Sequence, residues 1–364
     1  MFAFEKLGLD EFQLCAPTGK AARRMAEATG RETQTIHRML GMGKAEISYS
    51  YANPLHANLI VVDEMSMVDI SLFANLVSSV TKHCRLLLVG DQDQLASVGT
   101  GRVLQDLLEA GLPQVRLTQP QRQAASSLII QSAHLINKGE FPPLADFGSK
   151  GNAWFTQVQS ESEAKNQLVK IIELLKAKNF DFSKLRILSP VKKGECGVFN
   201  LNSVLQELIN PPHPHKQETH WRSNIIREGD SLIQLKNDYT LDLMNGEEVK
   251  VESIREAQKE QEKEVWIDFF NEDGRTFEAP LSELEMQHSF ALTIHKSQGS
   301  EYDVVVLFCL DSQLGFFSRK MLYTGLTRAK KLAIVIGSRS SLVRVIGRNQ
   351  EVRRKTKLKS KIEK

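Results

Sequence analysis

The sequence predicts an α/β protein with parallel sheets in two regions and a small β-rich insert inside the second. Three observations carry this. Short runs that are apolar on both faces alternate with helical spacings, as buried parallel strands and their crossovers require. Polar and acidic residues follow these runs directly, at the carboxyl ends where open α/β sheets bind ligands. From about Ile225 to Glu285 the pattern changes to short alternating runs separated by turn signals.

Taken in order, Phe12 to Ala16 reads as a buried strand, followed by a helix from about Lys20 to Ala28. Leu59 to Val62 is a second strand, Ile70 to Val80 has helical spacing, and Leu86 to Val89 is a third strand. Val115 to Leu117 is a possible fourth. Phe141-Pro142-Pro143 reads as a linker, and a second α/β region follows with strands at Leu185 to Leu188, Val304 to Phe308 and Leu332 to Ile336. Between them, Ser231 to Leu235, Val249 to Ser253 and Val265 to Phe270 alternate as half-buried strands. Asn245-Gly246 and Asp273-Gly274 supply the turns, and the charged stretch Arg255 to Glu264 reads as a solvated hairpin tip. The expected division is therefore 1–140 for the first domain, 141–224 with 286–340 for the second, 225–285 for the insert and 341–364 for a basic tail.

The chain has 364 residues, of which 41% are hydrophobic and 25% charged, which excludes a disordered or collagen-like polymer. Net charge is only +3, so the fold as a whole is no strongly basic nucleic-acid binder. Seven Lys or Arg nevertheless fall between Val352 and Lys364, a run that reads equally as a phosphate contact or a solvated end. The cysteines Cys15, Cys84, Cys196 and Cys309 form no CxxC pair, which argues against a zinc ribbon or redox motif. Cys15 and Cys309 lie in apolar runs and suit a reducing cytosol. No apolar stretch approaches the roughly 18 residues of a membrane span, and the first residues lack a signal-peptide layout. The expectation is a cytoplasmic protein without a membrane partner.

Chemistry enters at the strand ends. Leu59 to Val62 runs directly into Asp63-Glu64, an arrangement suited to a triphosphatase: one acid for Mg²⁺ on the phosphates, the next for the attacking water. Alone, a strand that simply ends in two acids at a turn is the commoner explanation. One strand later comes Val89-Gly90-Asp91-Gln92-Asp93-Gln94, where the Gln94 amide has the reach for a γ-phosphate or water. Two such ends in succession make coincidence a poor explanation.

Several segments together resemble a known family, the superfamily 1 DNA helicases of the exodeoxyribonuclease V alpha subunit (RecD-like) type. In the first half they are Ala16 to Ala22 (APTGKAA), Thr35 to Arg38 (TIHR), Val62 to Asp69 (VDEMSMVD) and Gly90 to Leu95 (GDQDQL). In the second they are Thr293 to Glu301 (TIHKSQGSE) and Leu322 to Ala329 (LYTGLTRA). The resemblance implies two RecA-like P-loop NTPase motor domains, the first incomplete here, with an SH3-like β insert in the second. It implies ATP in the cleft between the domains and single-stranded DNA across their top. Asp63 would hold Mg²⁺, Glu64 activate water, Gln94 sense phosphate, and Asp91 and Glu301 contact the nucleotide. Arg328 and Arg122 would be arginine fingers, although Gln121 stands where the family has an aromatic residue. Thr18, Lys20, His37, Thr293, His295, Lys296 and Ser297 would face DNA.

A triphosphatase of this type also needs a phosphate-cradling G-x-x-x-x-G-K-[ST] loop. Gly-Lys occurs at Gly19-Lys20 and Gly43-Lys44, both followed by alanine and preceded at the fifth position by Leu14 and Arg38. Neither is such a loop, and by the resemblance Met1 arrives after it. This yields the expectation of a chain inactive by itself: a fragment, or one half of an enzyme whose loop comes from an upstream polypeptide. A non-catalytic DNA-binding or subunit-contact protein is the alternative, and RecB-like and RecC-like subunits are the partners the resemblance suggests. A nuclease has little support, because the sequence shows no carboxylate cluster outside the nucleotide site that would serve as a metal-dependent nuclease centre. His213-Pro214-His215 lacks metal-ligand spacing and reads as loop.

Overall fold

The computed structural model describes residues 6, 11–42, 48–117, 126–238, 240–259, 262–271, 274–348, 354 and 356–363. The chain separates into two compact units: residues 1–120 with 350–364, and residues 121–349.

The first unit is built on a four-stranded parallel sheet of β1 (Phe12–Ala16), β2 (Gln34–Thr35), β3 (Leu59–Val62) and β4 (Arg85–Leu88), in the order β2-β1-β3-β4. The four residues of β3 are apolar and buried, as a strand covered on both faces demands. Ile60 and Val62 face a core of Ile36, Leu40, Met65, Leu76 and Leu107, while Leu59 and Val61 join Leu14 on the other face. Helix α1 (Gly19–Thr29) starts where the Thr18 hydroxyl accepts the Ala21 N–H at 3.3 Å and stops at Gly30, whose φ of +66° is left-handed. Helices α2 (Ile36–Met39), α3 (Ile70–Ser78) and α4 (Val103–Glu109) complete the layers. At the sheet's rim, Leu87 and Val89 of the β4 run are 40% and 45% exposed.

Val115 to Leu117, expected as a fourth strand, is irregular chain with Val115 and Leu117 almost fully exposed. Its tether is polar rather than a ladder: Arg116 pairs with Asp93 at 3.2 Å.

In the second unit the division lies ahead of Phe141-Pro142-Pro143, because α5 (Leu128–Lys138) buries Ile129, Ala133 and Ile136 there. A six-stranded parallel sheet runs β15-β7-β16-β17-β6-β5. Its members are β5 (Ala145–Asp146), β6 (Ala153–Gln157), β7 (Leu185–Ser189), β15 (Ala291–Thr293), β16 (Tyr302–Cys309) and β17 (Ala329–Gly337). Helices α6 (Glu161–Ala177), α7 (Val198–Ile209) and α8 (Arg319–Leu326) flank it. Leu168, Ile172, Leu201, Val306 and Ile334 meet in the core.

The insert follows α7. A hairpin of β8 (Glu218–Trp221) and β9 (Asn224–Arg227) precedes an antiparallel five-stranded sheet ordered β13-β12-β11-β10-β14. The strands are β10 (Ser231–Gln234), β11 (Glu248–Lys259), β12 (Glu262–Asn271), β13 (Thr276–Pro280) and β14 (Met286–His288), around Leu232, Val251, Ile267 and Phe269. The expected tip Arg255 to Glu264 is mostly paired strand, since the ladder continues out to Lys259 opposite Glu262.

Within the span expected as a basic tail, α9 (Arg339–Gly347) buries Leu342 and Val345 in the second unit. Helix α10 (Leu358–Ile362) lays Leu358 and Ile362 on the first unit's core. Arg354 donates to the carbonyls of Gly99 (2.6 Å) and Gly101 (3.0 Å). Apolar side chains interleaved with the basic ones give this stretch a face to bury. No helix among the described residues is long and apolar enough to cross a membrane.

Candidate functional site

Strands β1, β3 and β4 are parallel neighbours, so the residues following them share one rim of the first unit. Backbone hydrogen bonds lace these ends together. Asp63 N–H donates to the Cys15 carbonyl (3.0 Å), Val89 N–H to Val62 (2.8 Å) and Met65 N–H back to Val89 (2.9 Å). Asp63 Oδ1 accepts the Glu64 N–H at 2.8 Å. Glu64 has a φ of +52°, a left-handed conformation that glutamate seldom adopts, as the chain turns into the 3₁₀ segment Met65–Met67. Gly90 passes so close that a Cβ there would lie 3.0 Å from both Met65 N and a Leu104 methyl.

Asp91 organises the turn after β4. Its Oδ1 accepts the Asp93 N–H at 2.9 Å, and Gln94 Nε2 donates to its Oδ2 at 3.3 Å. Carboxylate and amide are thereby aimed together, beside Asp63 and Glu64. The acidic side chains at this rim, Asp63 among them, offer oxygen donors. Such a set fits a hard cation that keeps most of its water, as Mg²⁺ does.

Of the expected DNA-facing residues here, Thr18 spends its hydroxyl oxygen on capping α1, and Lys20 is half-exposed one residue into that helix. His37 lies on α2, where burial lowers its pKa and the Asp69 charge partly restores it. Arg122 lies outside the described residues.

In the second unit, β15 pairs with β7 so that Thr293 lies opposite Ser189. Asn202 of α7 grips the outer edge of β15: its amide donates to the Ala291 carbonyl at 3.0 Å and accepts the Ala291 N–H at 2.8 Å. Thr293 caps the turn Ile294–Ser297, accepting the Lys296 N–H at 3.3 Å. Ser297 is fully buried, its hydroxyl donating to Ile294 O at 2.8 Å, so it shapes the turn. His295 is exposed and Lys296 half-buried. Burial, with Lys192 adding repulsion, pushes the Lys296 ammonium down to about 8. Glu301 is exposed and pairs with Lys330 at 3.6 Å. Arg328 is 4% exposed; its Nε donates to Thr324 O (3.2 Å) and a terminal nitrogen to Ser300 O (3.1 Å), tying α8 to the segment before β16. Lys192 and Lys193, which the sequence analysis does not single out, lie in the loop that follows β7 after Pro190 and Val191.

Family models match three stretches: an AAA domain at residues 3–153, an ATP-dependent RecD-like DNA helicase SH3 domain at 201–269, and a UvrD-like helicase C-terminal domain at 288–336. A curated relative, the ATP-dependent RecD2 DNA helicase of Deinococcus radiodurans, is 36% identical over 350 residues, covering 96% of this chain. The chain belongs to the RecD-like superfamily 1 helicases. Another relative in this family, the RecBCD enzyme subunit RecD of Mycobacterium tuberculosis, is 31% identical over 371 residues and 92% of the chain. The chain spans 46% and 62% of the lengths of these two relatives, so it corresponds to about half of a RecD-like protein. Among solved structures, the Pif1 helicase from Candida albicans aligns with a TM-score of 0.55 at 16% identity, covering 94% of this chain and 87% of that one. A Bacteroides Pif1 helicase in complex with ADP-AlF3 and ssDNA aligns at 0.54 and 18%, covering 94% and 85%. The RecD-like fold is thus two RecA-like α/β units with an SH3-like insert in the second.

Proposed function

We propose that these residues are the motor region of an ATP-dependent DNA helicase or translocase of the RecD type, acting on single-stranded DNA in recombination and repair. The observation that carries this reading is the rim of the first unit, where adjacent parallel strands end in Asp63-Glu64 and in Gly90 to Gln94, laced by backbone hydrogen bonds. In it, Asp63 holds Mg²⁺, Glu64 takes the proton of the attacking water, and Gln94, steadied by Asp91, reads the terminal phosphate. Mg²⁺ there supplies charge neutralisation on the phosphates. Arg328 and Arg122 serve as arginine fingers, and Glu301 contacts the nucleotide. Lys20, His37, His295 and Lys296 face the DNA backbone, with Thr18, Thr293 and Ser297 holding their turns. Movement is 5′→3′ by family resemblance, and the partners are single-stranded DNA with RecB-like and RecC-like subunits.

A polypeptide of these 364 residues contains no G-x-x-x-x-G-K-[ST] run. It is therefore proposed to bind single-stranded DNA without turning over ATP until a polypeptide carrying that loop is supplied. The second reading, a non-catalytic DNA-binding or subunit-contact protein, is favoured by the burial of Arg328 in carbonyl contacts. ATP turnover with and without oligothymidine, with anisotropy-monitored binding in the same sample, separates the readings. Turnover on adding the loop-bearing polypeptide, lost by 10²-fold or more in Glu64→Gln with binding intact, is expected for the motor. Binding with no turnover in any combination leaves the second reading.

DNA binding should also depend on pH through Lys296. Its pKa of about 8 lies below that of an ordinary lysine, so it is charged below pH 8 and loses its proton above. A bound phosphate favours the charged form, so binding above pH 8 takes up a proton. Oligothymidine affinity should fall several-fold between pH 7.5 and 9.5, and Lys296→Arg, which stays protonated, should flatten the profile. An unchanged slope in Lys296→Arg would sink this assignment.

A further inference from the structure

We propose that the loop after β7 is part of the strand-binding surface, with Lys192 and Lys193 holding backbone phosphates beside Lys296 and Phe199 stacking a base. This rests on the DNA-binding reading above and extends it to residues that neither the resemblance nor the comparisons assign.

Placement comes first. Because β7 and β15 are parallel neighbours with Ser189 opposite Thr293, the loops leaving them emerge side by side at the same end of the sheet. One carries Lys192 and Lys193, the other His295 and Lys296. The β7 loop is held from within. The Ser189 hydroxyl donates to Cys196 O at 2.7 Å, Gly197 N–H to Gly194 O at 3.1 Å, and Val198 N–H to Val191 O at 3.1 Å. Gly197 is required, since a Cβ there would collide with the Lys193 carbonyl.

Phe199 belongs to the same assembly, its N–H donating to the Lys192 carbonyl at 3.0 Å. Its side chain is 51% exposed, while Val198, Leu201 and Leu205 of the same helix are buried. The ring therefore leaves about half of its surface open to a ligand. An exposed ring fixed beside phosphate-binding cations is the combination that sequence-tolerant single-strand binding employs.

Charge completes the picture. Lys192 and Lys193 are exposed, and neither they nor Lys296 form an ion pair among the described residues. The nearby acids have other partners: Glu161 accepts the Cys196 N–H of this loop at 3.2 Å, and Glu195 pairs with Lys165 at 3.1 Å. The Lys296 ammonium is lowered first by burial and then by repulsion from Lys192, which agrees with the two loops bringing their cations near each other.

The test uses the 364-residue chain and fluorescein-labelled oligothymidine across a salt series. Lys192→Gln with Lys193→Gln should cut the salt slope by about 1.4, at about 0.7 per single-strand phosphate contact. Phe199→Ser should weaken binding about tenfold and leave the slope unchanged. Thermal midpoints should stay within a degree or two, since all three side chains are exposed. An unchanged slope in the lysine variant, or affinity within twofold in Phe199→Ser, would overturn the inference. So would lysine variants that lose ATP binding but keep oligothymidine. If Lys296→Gln weakens binding while the other variants do not, the inference falls and the DNA-binding reading stands. No binding by the folded wild-type chain would sink both.

Discussion

Asp230→Ala is expected to lower the unfolding midpoint of the second unit by on the order of 10 °C. Asp230 is fully buried where helix α7 meets the insert. Its Oδ2 accepts Gln206 Nε2 at 2.6 Å and the Arg227 N–H at 2.8 Å, lies 3.0 Å from His288 Nε2, and its Oδ1 accepts Asn210 Nδ2 at 2.8 Å. Arg227, 2% exposed, sits alongside, bonded to Glu218 at 2.6 Å and to the Asn210 carbonyl at 2.6 Å. Alanine strands these donors in a site closed to water. Each buried donor left unmade costs about 1–3 kcal/mol, and removing one partner of a buried charge set costs about 3–5 kcal/mol. At about 2–4 °C per kcal/mol for a unit of this size, the shift is readable by calorimetry. A shift below about 3 °C would mean that water enters the hub and replaces the carboxylate.

Glu248→Ala is expected to be nearly as damaging, but repairable. Arg186 on β7 and Glu248 on β11 are 5% and 8% exposed in their side chains and meet at 2.5 Å. Arg186 also donates to Ser289 O and stacks 4.6 Å from the Tyr302 ring centroid, and the Tyr302 hydroxyl donates to Glu248 Oε1 at 2.7 Å. Removing only the carboxylate buries a guanidinium without its counter-charge, at about 3–5 kcal/mol. Replacing both partners, Arg186→Met with Glu248→Leu, removes both desolvation penalties and should recover most of the loss. Tyr302→Phe should cost only about 1 kcal/mol. A double variant as unstable as Glu248→Ala would show that the bonding geometry, rather than the balance of charge, holds the insert to the sheet.

How much of this was legible beforehand depends on whether neighbours in space were neighbours in sequence. Asp63, Glu64 and Gln94 could be read because each follows an apolar run by a few residues, and strand order then brings the runs together. The turn signals Asn245-Gly246 and Asp273-Gly274 marked the insert for the same reason. The Asp230 hub was invisible: Gln206, Asn210, Arg227, Asp230 and His288 are spread over 82 residues of separation and look individually like surface residues. Arg328 was read as a finger from its motif, yet nothing in that motif foretells that its guanidinium lies among carbonyls. Val115 to Leu117 is not a strand because an apolar-polar-apolar triplet describes only a fit to a ladder, and none pairs with it among the described residues. The two prolines after Phe141 have the composition of a linker, whereas the division between the compact units falls in the polar stretch ahead of α5.

Glu64 holds a further consequence in its backbone. A glutamate at φ +52° carries about 1–2 kcal/mol that glycine or asparagine would not. The position thus sits uphill of its cheapest residues, and random substitution relaxed only by stability would drift toward Gly, Asn or Asp. A carboxylate one carbon longer than that of the aspartate this backbone tolerates more readily marks a stability cost held in one torsion angle. It makes residue 64 a gauge of the role proposed for it: Glu64→Gly should raise the melting temperature and, if Glu64 activates the attacking water, lose turnover in the same variant.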